Sequence, residues 1–403
     1  MRFRITLLLI GLVVSAACTK TGTPTPAPAT SAPAAPTVAP GVPTTAPAPT
    51  QQPAPKVLPR PLYFIGPTNT VNQVWRLGTD GVTLAQISHE QAEVINFDVS
   101  PADGSIAFVS SNKLIKVDAN GGNRVELFTG PAINPTPGPD QINTQVSSVH
   151  WKPDGTLIAY ALNGVNTIAA NGGAPIIVQA NDPIPSPSPT SPARFFWPAA
   201  WSPDGSRILM NVSFYPEGGS LAVKIVAGGA PIMFNTPEGW PCCNPDWSLD
   251  SSAIFFANDY PGLIPAGLWR VDAASGLGST LIEGANQTGT AFNLVSQVKQ
   301  LSDQRLYYFI AHANAMPDNQ PAVSMTSSTV DGNTDRKQLR TDSYVIGEAL
   351  WDPNQTGAVI KDLTGAPLDF SGGQSTQLIW LNVNNTVPLK LPAFGFNLRW
   401  GKP

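Results

Sequence analysis

The chain has 403 residues, 42 of them proline and 35 glycine, with 12% charged residues and a formal net charge of -4. Proline at roughly twice its usual share excludes long helices, coiled coils and helical repeats from most of the chain. The 23 Lys+Arg give no basic excess for nucleic acid, and three cysteines are too few for a disulfide scaffold.

The first elements are not part of a folded core. Arg2 and Arg4 precede a mostly apolar run from Ile5 to Val14, and Ser15-Ala16-Ala17 places small residues before Cys18. This is the pattern of an export signal, too short in its apolar part to remain as a spanning helix. Residues 19–61 hold 13 prolines and no aromatic residue. Such a segment cannot bury a core and is expected to be a disordered, extended Pro/Thr/Ala-rich tether. The folded domain is expected over 62–403.

That domain carries an internal repeat. Trp201-Ser-Pro-Asp-Gly-Ser-Arg-Ile208, Trp151-Lys-Pro-Asp-Gly-Thr-Leu-Ile158 and Val99-Ser-Pro-Ala-Asp-Gly-Ser-Ile106 are its clear copies. Weaker ones start at Trp247, Lys299 and Trp351, and Trp400-Gly-Lys-Pro ends the sequence. The anchors at 99, 151, 201, 247, 299, 351 and 400 are 46 to 52 residues apart, with an apolar residue seven places after each of the first six. Each unit reads as four short strands. One ends at the anchor, a Pro-Asp-Gly-type turn leads to a second such as Ile254-Phe-Phe-Ala257, a third resembles Leu268-Trp-Arg-Val-Asp272, and a Gly-rich turn leads to a fourth. Four strands per roughly 50 residues, repeated, predict an all-β propeller. Seven anchors and seven second strands, the first at Leu62-Tyr-Phe-Ile65, predict seven blades, with six as the alternative because the copy at Lys299 is degenerate. In that phase Phe396 to Trp400 must pair with the N-terminal strands and close the ring, which removes exposed sheet edges.

Two resemblances follow from these residues. The small residues before Cys18 resemble the bacterial lipobox, departing from it at Ser15, where leucine is commonest. The resemblance implies that Cys18 is the lipidated first residue of the mature protein; an ordinary secretory signal is the alternative. The repeats resemble the TolB-like, PD40-type propeller repeats related to WD40. Members of that family are periplasmic or surface proteins acting mostly through protein contacts. The tether at 19–61 stands where TolB has a separate domain, so the specific partner role of TolB is not implied.

The sequence carries few candidate catalytic groups. Asp154, Asp204 and Asp250 recur at the turn after the anchor and read as turn-forming residues. His89, His150 and His312 are far apart, and His150, beside Trp151, reads as a packed strand residue. No metal-ligand spacing, nucleophile elbow or phosphate loop is present, so neither a metal nor a cofactor is expected. Cys242-Cys243 is read as a vicinal disulfide or two adjacent thiols. Of ten tryptophans, five are anchors (151, 201, 247, 351, 400) and three lie in third strands (75, 269, 380). Trp197 and Trp240 fall outside both classes, and with Phe195 and Phe196 they form a candidate binding surface near the long connections 130–144 and 181–194. Three places before the anchors stand Asn96, Ser148, Pro198, Asn244, Ser296, Glu348 and Asn397. Asn96, Asn244, Glu348 and Asn397 are the candidate channel-lining residues. The expected protein is a monomeric, lipid-anchored, extracytoplasmic binding or scaffold protein for a protein or cell-envelope polymer. A propeller hydrolase or lactonase with a channel site, and a purely structural envelope module, are the competing classes.

Overall fold

The computed structural model describes residues 56–402 apart from 70, 134–137, 185–191, 216, 237–243, 260–264, 286–288, 316–319 and 366–372. The chain divides into two compact units, Met1–Pro53 and Ala54–Pro403, and every described residue belongs to the second. Packing begins ahead of Leu62. Leu58 is buried among Leu62, Leu77 and Leu391, and the Val57 and Leu58 amides both donate to the Thr79 carbonyl.

Five four-stranded antiparallel sheets follow one another along the chain, each with its strands in sequence order. Their first strands are Val94–Val99, Ser147–Trp151, Ala193–Trp201, Asp246–Trp247 and Phe292–Gln300. A seven-stranded sheet takes the remainder, in the order Ile346–Trp351, Gly357–Asp362, Thr376–Asn382, Leu389–Trp400, Leu62–Pro67, Asn72–Leu77 and Leu84–Gln86. Strand Leu389–Trp400 serves two neighbours. Its first half pairs with Thr376–Asn382, through Lys390 with Ile379 and Gly395 with Thr376. Its second half pairs with Leu62–Pro67, through Trp400 with Leu62 and Arg399 with Tyr63.

The first strands form a ring. Val94–Val99 packs on Ser147–Trp151, which meets Ala193–Trp201; Asp246–Trp247 packs on Phe292–Gln300, which meets Ile346–Trp351, then Leu389–Trp400, which returns to Val94–Val99. Ala199 and Ala200 join the core cluster of Trp247 and bridge the remaining step. The fold is a β-propeller. Its core lies between sheets. Phe97, Phe108 and Ile115 pack on Tyr63, Ile65 and Val74 of the neighbouring sheet, and Phe309 and Met325 pack on Trp351 and Ile360. Second strands such as Ala253–Asn258 are therefore buried along their whole length, as their continuous apolar runs require.

The anchor tryptophans act twice. Their rings fill the space between sheets, and in three of the five the indole N–H reaches back to the preceding first strand, whereas Trp151 and Trp247 Nε1 are buried with no partner among the described residues. Trp201 Nε1 donates to the His150 carbonyl (3.1 Å), Trp351 Nε1 to Gln297 (2.7 Å) and Trp400 Nε1 to Trp351 (2.8 Å). The turn after the anchor is equally local. The carboxylates of Asp154, Asp204 and Asp250 each accept the amide two residues on, at 2.9, 2.9 and 3.0 Å. Gly155 and Gly205 then supply the left-handed backbone at φ 72° and 68°. Hydrogen bonds from Lys152 and Thr156 hold Asp154 at about 2, and those from Ser248 and Ser252 do the same for Asp250.

One anchor must be moved. Gln300, not Lys299, pairs with the first residue of the following strand, Leu306, as Trp201 pairs with Ile208. The turn between them is one residue shorter than in the other copies, which is why an apolar residue seven places on pointed to Lys299.

Candidate functional site

In an antiparallel sheet, the first-to-second and third-to-fourth connections lie at one end. The second-to-third and fourth-to-next-first connections lie at the other. The two ends differ. At the anchor end the first turns are short, as in 100–105, 152–156 and 202–206. The opposite end receives the long connections 130–146, 181–192, 234–245, 259–266, 284–291, 314–322 and 363–375. Long connections on a rigid ring are where binding residues accumulate, because a loop tolerates sequence change that a packed strand does not.

The aromatic residues near this end separate by depth. Phe195 and Phe196 are each 1% exposed, so they belong to the core of their sheet and not to a surface. The physical reason is strand length: Ala193–Trp201 and Arg207–Tyr215 run for nine residues each, and neighbours cover both faces. Trp197 is half-buried, with its ring 6.3 Å from Phe195. Tyr215, at the loop end of its strand, is 44% exposed and meets Phe195 edge-on at 6.4 Å. Sequence reasoning missed Tyr215, although the continuation of Phe214-Tyr215 past the usual strand end was a readable signal. Trp240, Cys242, Cys243 and Cys18 lie outside the described residues.

The polar residues three places before the anchors have a shared geometry. Ser148, Asn244 and Asn397 have φ of 52°, 48° and 55°, and with the anchor at Gln300 the corresponding residue is Gln297 at φ 55°. Strand register slips at or beside this level in the sheets of Asn96, Ser148, Gln297 and Glu348. These are β-bulges. Several of the side chains also cap the amides of the next first strand. Asn96 Oδ1 accepts from Val149 N (2.6 Å), Gln297 Oε1 from Ala349 N (3.1 Å), and the Glu348 carboxylate from Asn397 N and Leu398 N (both 2.7 Å). The open edge of each innermost strand is thus partly satisfied by its neighbour.

The position directly before the anchor, which sequence reasoning passed over, carries the charge. It reads Asp98, His150, Ala200, Asp246, Lys299, Leu350 and Arg399, all partly exposed. Arg399 pairs with Asp98 and Lys299 with Asp246, each at 3.0 Å. Asp98 also accepts the Trp151 amide at 2.7 Å. Burial pushes the His150 imidazole down to about 4, with Arg399 adding to the fall and Asp98 opposing it, so the ring is neutral at physiological pH. Each acid on these strands is already engaged. Among the described residues no three His, Cys, Asp or Glu are grouped to hold a metal.

No protein-family model matches the sequence, and no curated protein matches it. Solved structures do share the fold. A puromycin hydrolase matches at 13% identity and a TM-score of 0.51, over 84% of this chain and 53% of its own, so this chain spans about half its length. An oligogalacturonate lyase in complex with manganese matches at 11% identity and 0.50, over 82% and 84% of the two chains. A putative TolB from Agrobacterium tumefaciens matches at 16% identity and 0.41, over 69% and 87%. The class the fold defines is the β-propeller.

Proposed function

We propose that this chain is a lipid-anchored, extracytoplasmic, non-catalytic binding protein. Its propeller has seven blades, the first completed by Phe396–Trp400, and follows an extended, disordered Pro/Thr/Ala-rich tether over 19–61 behind a lipidated Cys18. The pairing of Trp400 with Leu62 and of Lys390 with Ile379 within one strand supports the count, because that strand then belongs to two blades. The ligand is a protein or an envelope polymer. It is received at the end that carries the long connections, with Trp197 and Tyr215 among the contacts.

The observation that carries this reading is the asymmetry of the two ends. Seven connections of eight or more residues gather at one of them, beside a half-exposed aromatic cluster, against one, 329–336, at the other. The acids and bases of the innermost strands support the non-catalytic part. They are committed to ion pairs and to edge amides, which leaves them poorly placed to exchange protons with a substrate. The second reading, a propeller enzyme, is favoured by the hydrolase and the lyase among the similar structures. A Trp197→Ala/Tyr215→Ala double variant is expected to lose capture of a partner from native envelopes while keeping its melting temperature. Unchanged capture overturns the assignment of the face. A Cys18→Ser variant is expected to leave the membrane fraction, and its retention there contradicts the anchor.

A further inference from the structure

The anchor end also holds a cavity, of about 600 Å³, between the sheet that starts at Asp246 and the sheet that starts at Phe292. It lies where the repeat departs from its own rule. Tryptophan occupies the anchor position in five copies and Val99 in a sixth, whereas this sheet alone has a polar anchor, Gln300, and a turn shortened by one residue. An indole there would fill the junction. The smaller amide leaves it open and turns polar groups toward it: Gln300 Oε1 accepts from Leu249 N at 3.0 Å, and Gln300 Nε2 donates to the Gln304 carbonyl at 3.3 Å. Breaks in an otherwise consistent local pattern are where functional sites are expected.

A second, independent feature is Arg270. The basic residue at this point of the third strand is used structurally in other sheets. Arg76 donates to Asn120 at 3.0 Å, and Lys116 donates to the Ala170 carbonyl at 2.8 Å, each reaching the following sheet. The register of the two sheets, Ile158 with Ile168 and Leu306 with Ser328, makes Val330 the counterpart of Ala170, and Arg270 makes no bond to its carbonyl among the described residues. Arg270 lines the cavity with no hydrogen bond or ion pair among the described residues. On the same sheet, Asp250 Oδ1 accepts from Ser248 Oγ, Ser252 N and Ser252 Oγ, while Oδ2 takes no bond among the described residues.

We propose that this cavity binds a neutral, hydroxyl-rich ligand, a glycan unit, with Arg270 donating to it and Asp250 Oδ2 accepting from it. A vicinal diol is both donor and acceptor and suits a wall where a guanidinium and amides stand among carboxylate oxygens. An anion is disfavoured by the charges. Arg305 is neutralised by Asp335 at 2.7 Å, and the one free guanidinium is offset by Asp250 and Asp303 in the same wall. The volume lies within the range of about 300–1,000 Å³ typical of small-molecule sites. The site is at the opposite end from the long connections, so its failure would leave the proposed partner face untouched.

The test is an array of neutral and acidic oligosaccharides probed with the full chain, followed by saturation-transfer NMR on the strongest neutral hit. A neutral oligosaccharide is expected to bind. Arg270→Ala is expected to weaken it at least about tenfold, the value of one lost charge-assisted bond. Gln300→Trp, which restores the repeat, is expected to abolish binding with no loss of melting temperature. Absence of any neutral ligand overturns the proposal. So does binding of acidic oligosaccharides only, and so does wild-type affinity in the Arg270→Ala variant, whose half-exposed side chain is not needed for folding.

Discussion

Glu348→Ala tests how the ring is closed. Glu348 lies on strand Ile346–Trp351, and its two oxygens accept the amides of Asn397 and Leu398 on the closing strand, both at 2.7 Å. A hydrogen bond to a charged group contributes about 1.5–3 kcal/mol. Glu348 is half-buried, so water can replace part of each bond and the lower figure applies. Two bonds at the lower figure give a loss of about 3 kcal/mol. Glu348→Gln keeps one acceptor oxygen and should lose about half of that. The assay is denaturant unfolding of both variants beside Glu283→Ala, an exposed carboxylate at the end of strand Gly278–Glu283. The closing strand joins the two ends of the chain, so loss of this clasp should also speed hydrogen exchange at 396–400 before the rest of the protein. A Glu348→Ala loss within about 0.5 kcal/mol of the surface control, the ordinary range for surface substitutions, would refute the clasp.

Two pH effects of opposite sign are expected. Burial raises the Asp259 carboxyl to about 6, and its Oδ2 has no hydrogen-bond partner among the described residues. The folded state therefore prefers the neutral acid, and stability is lost as pH rises from about 4 through about 6. Asp259→Asn should stabilise by about 2 kcal/mol at pH 8 and by nothing at pH 3.5, measured as paired unfolding curves. His150 runs the other way: its folded value of about 4 lies below the ordinary 6.5. Its contribution is present above about 6.5 and is lost as pH falls toward 4, so His150→Gln should flatten the acid limb by about 2 kcal/mol. Gly284→Ala should unfold or severely destabilise the chain, because a Cβ there would stand 1.7 Å from the Ala266 carbonyl oxygen. Soluble, native-like expression of that variant would contradict the close approach of these two segments.

The repeat was legible because its signals are local. A tryptophan, an aspartate that bonds the amide two residues on, and a glycine at positive φ act within eight residues, so three copies suffice to phase the rest. Gln300 was misplaced because one deletion in a turn and one missing tryptophan erase both markers at once. The polar residues three places before the anchors were visible as polar, but the bulges and the bonds they make are not. Those depend on the neighbouring sheet, some 50 residues away in sequence, as with Asn96 and Val149. Depth was illegible for the same reason. Phe195 and Trp197 lie two residues apart on one strand, yet one is enclosed by the adjacent sheet and the other is half open. Arg270 reads as an ordinary repeat residue until its side chain is set beside those of Arg76 and Lys116, which bond to the following sheet while Arg270 makes no such bond among the described residues.

Partner binding is proposed at the end that bears the long connections. Hydrogen exchange of the propeller, alone and bound to a partner captured from native envelopes, addresses that claim most directly. Protection is predicted in the segments around 130–146, 181–197 and 211–220, with the anchor turns at 152–156 and 202–206 unchanged. Protection confined to the anchor turns, or to the innermost strands alone, would contradict it.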